Sequence, residues 1–340
     1  MTTTLPAQPA PFADLAQDQK QLLQMLRELG LAQPGEQPAV EMLTGGVSSS
    51  ILRVDLVRGP VCVKQALPKL KVAKDWFAPT SRVLAEIDWL DTAQQIVPGH
   101  VPRILGADRG RGAFAMEFMA GLRNWKAELM AGRTDEPVAA QVADVLGRLH
   151  AATSRDAAIA ARFANDANFF QLRLEPYLVE TARVHPDLAR ELIALVHVTQ
   201  TTPRALVHGD VSPKNILLGA QGPVLLDAEC ACYGDPAFDL AFLLNHMLLK
   251  AVHLPAHAPA FQALYRSIVT HYLPHVVWED PADFNARCAR LLPGLLLARV
   301  DGKSPAEYLT QPQRAQLRIA ARALLAQRSA HLLDLLQRMN

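Results

Sequence analysis

The sequence of 340 residues predicts an α+β protein with two unequal parts, a small β-rich part over residues 35–120 and a larger, mostly helical part over residues 121–340. Three observations lead to this class. Short β-branched runs bounded by turn residues cluster before residue 120, and apolar residues at helical spacing dominate after it. One β-like island, residues 206–227, interrupts the helical part. Residues 1–34 are expected to form an N-terminal extension with a helix.

In the β-rich part, apolar periodicity and turn residues predict the order of the elements. The residues Arg58-Gly59-Pro60 indicate a tight turn between two strands. The expected elements are a helix over 14–30, strands over 51–57 and 61–65, a helix over 81–93, and strands over 103–107 and 113–118. After residue 121 helices are expected over 138–151, 169–180 and 187–199 and repeatedly from 239 to the end.

Composition excludes several classes of protein. Lys and Arg number 34 against 33 Asp and Glu, and this balance argues against bulk nucleic-acid binding and against polybasic membrane binding. The N-terminus lacks a basic start followed by an apolar run, so a signal peptide is not expected and a cytoplasmic location is. The four cysteines lack the second close pair that a zinc site needs, and we expect reduced, buried thiols.

The β-like island carries the strongest chemical pattern. Asp210 follows His208-Gly209, Asn215 comes five positions later, and Asp227 ends a hydrophobic strand. This layout is typical of a phosphoryl-transfer site. Asp210 can orient a substrate hydroxyl and accept its proton, while Asn215 and Asp227 offer the hard oxygen ligands that a phosphate-bound metal needs.

Two neighbours of the pattern have expected supporting roles. His208 is expected to organise the loop by hydrogen bonds, and Asp239 either to cap the following helix or to brace the loop. Lys214, inside the loop, has two open interpretations: a phosphate contact or an exposed loop lysine.

The β-rich part holds a candidate phosphate-binding set. Lys64 ends the strand Val61–Lys64, and Glu86 lies on the next predicted helix, where it can hold the lysine against phosphates. A Gly-Ser-rich loop precedes that strand, and its backbone N–H groups could cover the phosphates. The candidate residues of this loop are Gly45, Gly46 and Ser48.

These residues resemble the aminoglycoside phosphotransferase and choline kinase-like family. The family motif HGDxxxxN is matched by His208 to Asn215, the strand-end acid by Asp227, and GDPxxDLA by residues 234–241. The resemblance implies a bilobal protein-kinase-like fold with a small β-rich N-lobe and a larger helical C-lobe. It also implies ATP in the cleft between the lobes, Mg²⁺ as cofactor, and a hinge over residues 117–121 in which Glu117 serves the adenine.

Within that superfamily two segments look closer to methylthioribose kinase. One begins at Lys64-Gln65-Ala66-Leu67-Pro68 and continues to Glu86; the other is Asp227-Ala228-Glu229, in which both acids could bind metal. Asn215 departs from those enzymes, which have another residue there, and the chain is shorter than theirs. The resemblance therefore supports phosphotransfer more strongly than it supports a particular sugar.

The acceptor is expected to bind in the helical part. The polar cluster flanked by apolar helices supplies the candidates Arg299, Asp301 and Lys303, with an ordinary interhelical turn as the alternative. Residues 241–340 contain eleven Lys and Arg against six Asp and Glu. This basic balance favours a neutral or anionic hydroxyl substrate over polycationic aminoglycosides.

The sequence therefore predicts an ATP- and Mg²⁺-dependent small-molecule kinase that phosphorylates a hydroxyl of a sugar or an amino alcohol. The alternatives are an aminoglycoside phosphotransferase, a protein kinase, a nucleotide-binding pseudokinase and a non-kinase helical binding protein. Only twelve positions separate Asp227 from Asp239 and no A-P-E follows, which leaves little room for the activation loop of a protein kinase. The acceptor's identity and the oligomeric state stay open.

Overall fold

A computed structural model describes residues 14–43, 49–67, 80, 82–327 and 329–338. The chain divides into two compact units. Unit 1 contains the described residues up to Ile87 together with Arg103–Phe118, and unit 2 contains Asp88–Pro102 and the described residues from Met119 onward. The predicted α+β class is confirmed, because a β-sheet occupies the N-terminal region and the remainder is mostly helical.

Unit 1 is built on a five-stranded antiparallel sheet in the order β1-β2-β3-β5-β4. A helix precedes the sheet and a second helix follows β3. The elements are α1 Gln19–Glu28, β1 Ala39–Met42, β2 Ser49–Leu56, β3 Gly59–Ala66, α2 Arg82–Ile96, of which the residues from Asp88 onward belong to unit 2, β4 Ile104–Asp108 and β5 Ala113–Glu117.

Packing of α1 on the sheet forms the core of unit 1. Leu22, Met25 and Leu26 recur on one face of α1 and are buried against sheet residues that include Leu52 and Val54. This helix begins later than the sequence predicts, because Asp18 caps it by accepting a hydrogen bond from the Gln21 N–H at 3.0 Å. An amphipathic stripe shows that a helix exists but not where it starts.

β2 and β3 form the predicted hairpin, but its turn is residues 57–58, one position earlier than predicted, and Gly59, with φ +115°, already pairs with Leu56. The edge strand β1 was not anticipated from the sequence. Its four residues are mostly exposed, so they lack the alternation of buried and exposed side chains that identifies a strand.

Unit 2 is mostly helical and contains two small antiparallel sheets, β7 with β10 and β6 with β8 and β9. Its strands are β6 Arg123–Asn124, β7 Ala205–Val207, β8 Ile216–Gly219, β9 Gly222–Leu225 and β10 Cys232–Gly234. Its further helices are α3 Trp125–Met130, α4 Glu136–Thr153, α5 Ala157–Arg162, α6 Asp166–Phe169, α7 Glu180–Val184, α8 Ala189–Gln200, α9 Pro236–His253, α10 Ala258–Tyr272, α11 Pro281–Asp301, α12 Gln311–Gln327 and α13 Leu332–Arg338.

The helix predicted over residues 169–180 is a π-helical segment, Phe170–Val179, between the short helices α6 and α7. Pro176 lies inside this segment. Proline has no backbone N–H and crowds the preceding turn, so an ordinary α-helical hydrogen-bond pattern cannot run through it. The wider segment carries a charged side chain, Arg173, into the interior of unit 2.

Helix α9 is the central element of unit 2, and its side chains from Pro236 to Lys250 are buried. No single helix among the described residues has both the length and the apolar composition to cross a membrane. The pair Pro236–His253 and Pro255–His275 meets the length and composition criteria only together, and it bends by 118° at the break between its two parts.

Candidate active site

The loop between β7 and β8 brings together the acids and the amide predicted from the sequence. Asp210 is 4% exposed, and the Asn215 Nδ2 donates to its carboxylate Oδ2 at 2.9 Å and to its backbone oxygen at 3.1 Å. The Leu226 N–H donates to the Asn215 backbone oxygen at 2.9 Å, which fixes the residue before Asp227 beside the loop. All three predicted residues thus lie in one part of unit 2.

Two cations hold the Asp210 carboxylate. Arg173 Nη2 lies 2.9 Å and Lys214 Nζ 3.1 Å from Asp210 Oδ2. Burial alone would raise the pKa of Asp210, but the charges of Arg173 and Lys214 outweigh burial and the pKa lies below its ordinary value. Asp210 is therefore an ionised carboxylate near neutral pH, which is the state a proton acceptor needs.

Arg173 was missed in the sequence. It is buried on the π-helical segment, where its Nε also donates to the Gly209 backbone oxygen. The signal available was a charged residue between two leucines, Leu172 and Leu174. A buried arginine needs an anionic partner, but its spacing along the chain does not identify which one.

Asp239 and His208 hold the backbone of the loop. The N–H groups of His208 and Gly209 donate to the two carboxylate oxygens of Asp239 at 2.7 and 2.8 Å. The Asp210 N–H donates to His208 Nδ1 at 3.1 Å, so His208 Nε2 carries the proton that it donates to the Leu226 oxygen at 3.0 Å. Burial lowers the pKa of His208, in agreement with this neutral form.

Of the two roles left open for Asp239, the structure therefore shows bracing of the loop. Asp235 supplies the cap of α9 instead, since its Oδ1 accepts from the Ala237 N–H at 3.0 Å. His150, which is fully buried, contacts Asp239 Oδ2 at 3.2 Å and the Tyr272 hydroxyl at 2.6 Å. The brace is thus itself held by side chains of other helices.

Gly209 gives a first testable prediction, because a side chain does not fit there. Its φ is +78°, and an added Cβ would lie 2.7 Å from Cys230 Cβ and 2.8 Å from the Cys230 oxygen. We expect Gly209→Ala to destabilise the fold by about 1–3 kcal/mol and to displace Asp210, which lowers any phosphotransfer sharply. Urea unfolding and activity measure the two effects. Gly99→Ala is the matched control, since Gly99 also has a positive φ but nothing within 4 Å of an added Cβ.

The predicted metal ligands follow β9. Asp227 adopts φ +68°, a conformation that is uncommon outside glycine and that concentrates at functional sites. Glu229 is buried, and its backbone oxygen accepts from Asn168 Nδ2 at 2.8 Å. Because Asn215 uses Nδ2 for Asp210, its Oδ1 is oriented as an acceptor.

This donor set fits a divalent cation that is held mainly by phosphates. In the described part of the chain, no group of three or more His, Cys, Asp or Glu is arranged to hold a metal alone. Mg²⁺ in nucleotide sites characteristically takes one or two protein oxygens and completes its shell with phosphates and water. The metal-binding roles of Asn215, Asp227 and Glu229 stay predictions.

In unit 1 the predicted pair of Lys64 and Glu86 is formed. Lys64 Nζ lies 2.8 and 2.7 Å from the two carboxylate oxygens of Glu86, and both side chains are at least 97% buried. β3 supplies the lysine and the first turns of α2 supply the glutamate. The sequence also allowed an ion pair on the surface, but both side chains are buried.

A second prediction concerns this pair. Glu86→Gln removes the negative charge that pairs with the buried ammonium of Lys64, so we expect a loss of about 3–5 kcal/mol in the free energy of unfolding. Urea unfolding measures the change. Glu41→Gln, on the exposed edge strand β1, is the matched control and is expected to change stability little. Equal stability of Glu86→Gln and the unmodified protein would contradict the prediction.

The other predicted nucleotide-binding residues stay predictions. Gly45, Gly46 and Ser48 lie outside the described residues. Glu117 is the last residue of β5, is partly buried, and accepts from Arg103 Nε at 3.1 Å.

The three predicted acceptor-binding residues have partners within unit 2. Asp301 accepts hydrogen bonds from Arg318 at 2.7 Å and contacts His185 at 2.8 Å, and Lys303 pairs with Glu175 at 2.7 Å. Arg299 is buried and donates through Nη1 to the backbone oxygen and hydroxyl of Ser304. Acceptor binding by Arg299, Asp301 and Lys303 stays a prediction.

Residues 39–251, more than half of the chain, match the phosphotransferase enzyme family APH, and the chain belongs to this family. Among curated relatives, the methylthioribose kinase of Pectobacterium atrosepticum is 26% identical over 255 residues, which cover 66% of this chain and 64% of that kinase. The chain thus matches somewhat less than two thirds of that relative's length. These matches confirm the resemblance to the aminoglycoside phosphotransferase and choline kinase-like family and the closer similarity to methylthioribose kinases.

Two solved structures show the same fold. Amicoumacin kinase hAmiN in complex with AMP-PNP, Ca²⁺ and Ami has a TM-score of 0.57 and 15% identity, and the match covers 95% of this chain and 98% of that one. The choline kinase from Cryptosporidium parvum Iowa II has a TM-score of 0.58 and 12% identity, with 94% and 100% covered. The predicted protein-kinase-like fold is therefore confirmed.

Proposed function

We propose that this chain is an ATP- and Mg²⁺-dependent small-molecule kinase that transfers the γ-phosphate to a hydroxyl group. The observation that carries the proposal is the buried, ionised carboxylate of Asp210, which Arg173, Lys214 and Asn215 hold in place. Membership of the phosphotransferase family supports it. A pseudokinase would have no need for an ionised carboxylate maintained against the penalty of burial.

Each residue has a chemical task in this proposal. Asp210 accepts a hydrogen bond from the acceptor hydroxyl, orients its oxygen, and takes the proton as the hydroxyl attacks. Asn215 and Asp227, with Glu229 as a further ligand, would hold Mg²⁺, which neutralises phosphate charge when bound. Lys64, fixed by Glu86, is the cation proposed for the α- and β-phosphates.

The acceptor proposed is a small hydroxylated molecule of the sugar type. Curated methylthioribose kinases with 25–27% identity support a sugar-like acceptor. The excess of Lys and Arg over Asp and Glu in residues 241–340 disfavours a polycationic aminoglycoside. The screen that tests this follows ADP release over methylthioribose, other pentoses, sugar acids, sugar phosphates, amino alcohols and aminoglycosides. Release that is fastest with aminoglycosides, or absent with every hydroxyl compound, would contradict the proposal.

A third prediction tests the metal assignment. Asp227→Asn keeps the shape of the side chain but removes its charge, so we expect Mg²⁺-ATP affinity to fall by at least about tenfold, the scale on which even residues behind metal ligands act. Calorimetric titration with Mg²⁺-ATP measures it. Asp283→Asn, an exposed acid in the first turn of α11, is the control. Unchanged affinity in Asp227→Asn would remove Asp227 from the metal site.

A further inference from the structure

A second group of polar side chains lies in unit 2, and only one of its members, the predicted acceptor-binding residue Arg299, has been given a task so far. Four helical or loop elements contribute to it: α3, α9, α11 and the segment after α11. We call it the cationic cluster. Its members are Lys126, His246, Lys250, Arg299 and Tyr308.

The members of the cationic cluster face one another. His246 and Lys250 are one turn apart on α9 and therefore share a face, and they are 8% and 1% exposed. Lys250 Nζ lies 5.8 Å from the centroid of the Tyr308 ring. The charges of Lys126 and Arg299 act on both His246 and Lys250.

Several polar atoms of the cluster have no partner of their own. Within the described chain, His246 Nε2, Arg299 Nε and the Tyr308 hydroxyl are buried without a hydrogen bond. No described carboxylate lies within ion-pair distance of Lys250 Nζ. Glu307 is the acid whose charge acts on Lys250, and Glu307 is itself paired with Lys126 at 3.1 Å.

These unpartnered atoms and the buried ammonium of Lys250 indicate a binding site for an anion. Buried donors without acceptors are costly, and lysine and arginine are almost never buried without a counter-charge. The three unpartnered atoms and the ammonium of Lys250 come from three elements: α9, α11 and the segment after α11. A carboxylate or a phosphate group could accept from several of them at once, which a neutral hydroxyl could not do as strongly.

The electrostatics of the cluster agree with this reading. Burial first, and then the charges of Lys126 and Arg299, lower the pKa of Lys250 to about 7. Burial and the charge of Lys250 also lower the pKa of His246. Both shifts have the direction expected of a site with too few negative charges, and a bound anion would reverse them.

Helix α3 connects the cationic cluster to the catalytic loop. Asn124, the N-cap of α3, donates through Nδ2 to the Lys214 backbone oxygen at 2.8 Å, and Lys126 lies two residues further along. Lys214 Nζ itself lies 3.1 Å from the Asp210 carboxylate. One small molecule could therefore present a hydroxyl to Asp210 and an anionic group to the cluster.

We propose that the cationic cluster binds an anionic group of the acceptor, so that the acceptor class is a hydroxylated carboxylate or phosphate compound rather than a neutral sugar. The inference rests on the proposed function, since it places the acceptor hydroxyl at Asp210. Lys250 and Arg299 provide the charge, while Tyr308 and His246 complete the hydrogen bonds to the anion.

The test compares three probes with the same five-carbon skeleton: D-ribose, D-ribonate and D-ribose 5-phosphate. Calorimetry with the full chain measures the binding of each. We expect ribonate or ribose 5-phosphate to bind at least about tenfold more tightly than ribose, the equivalent of one good charge-assisted contact. The two charged probes distinguish a carboxylate from a phosphate. Equal binding of all three would overturn the inference.

Two variants locate the anion. Lys250→Met removes the buried charge at nearly constant volume and should abolish the preference for the charged probes, and Tyr308→Phe, which removes one hydroxyl, should weaken it. Lys20→Met, which removes an exposed lysine of unit 1, should leave the preference intact. A preference that survives Lys250→Met would overturn the inference. So would an equal loss of Mg²⁺-ATP affinity in that variant, because the cluster would then serve the nucleotide.

The outcomes separate this inference from the proposed function. Phosphotransfer to neutral acceptors only would support the kinase activity and overturn the anionic acceptor. Binding of the charged probes that depends on Lys250, with no phosphotransfer to any hydroxyl compound, would support an anion site and overturn the kinase activity.

Discussion

Replacement of Asp210 by Asn is expected to lower phosphotransfer by about 10²–10⁴-fold, the range that a positioned proton acceptor contributes. The amide keeps the shape of the side chain but cannot take the proton of the acceptor hydroxyl. Asp210 is assigned to the hydroxyl rather than to the metal, so Mg²⁺-ATP affinity should change much less than kcat. ADP release measures kcat, and calorimetry measures affinity.

The choice of asparagine matters because Asp210 is also the counter-charge of Arg173. Truncation by Asp210→Ala would open a gap beside a buried guanidinium and is expected to cost about 3–5 kcal/mol of stability. A loss of activity in that variant could then reflect unfolding. Asp283→Asn, with an exposed acid, should keep full activity. Activity of Asp210→Asn equal to that of Asp283→Asn would refute the role of Asp210.

Replacement of Lys250 by Met is expected to stabilise the protein in the absence of an anionic ligand. Burial lowers the pKa of Lys250 from 10.5 to about 7. A shift of this size corresponds to a destabilisation on the order of 5 kcal/mol when the lysine is charged in both the folded and the unfolded chain, as it is below pH 7. Methionine fills the same space without a charge.

This stabilisation should depend on pH with a definite sign. Between the folded pKa of about 7 and the unfolded value of 10.5, the unfolded chain binds more protons than the folded one. The stability of the unmodified protein therefore rises with pH through this window, and the advantage of Lys250→Met shrinks towards zero. The groups whose charges act on Lys250 are Lys126, Arg299 and Glu307.

Urea unfolding of both proteins across this pH window measures the difference, in which titrations common to both cancel. Lys20→Met, at an exposed position, should differ little from the unmodified protein at any pH. A difference between Lys250→Met and the unmodified protein that is independent of pH would show that Lys250 has an ordinary pKa in the folded chain.

The predictable part of the candidate site is the part that is local in sequence. Asp210, Asn215 and Asp227 belong to one loop and the hairpin after it, so their spacing alone places them together. Lys64 and Glu86 come from consecutive described elements, β3 and α2. For the three residues of the loop and hairpin, a short stretch of chain converts sequence spacing into spatial proximity.

The proximity of residues that meet only through tertiary packing could not be predicted from the sequence. Arg173 reaches Asp210 from a π-helical segment whose geometry depends on Pro176 and on its surroundings. Likewise, the excess of Lys and Arg over Asp and Glu in residues 241–340 can be counted in the sequence. The contact of Lys250 with Tyr308 could not be predicted, because it depends on the packing of α9 against the segment after α11. The fold itself was largely predictable, since strong turn residues such as Gly59 delimit its strands, whereas the exposed edge strand β1 carries no such signal.

Helix α9 fixes the distance between the two proposed binding points of the acceptor. Its Asp239 holds the catalytic loop, and its His246, seven residues or about 10 Å further along the axis, belongs to the cationic cluster. Both ends are attached to one buried helix, so the span from the hydroxyl to the anion cannot adapt to the compound that binds. On the proposed function, selectivity is expected to follow the length of the acceptor, and acceptors one carbon shorter or longer than the preferred one are expected to lose kcat more than they lose affinity.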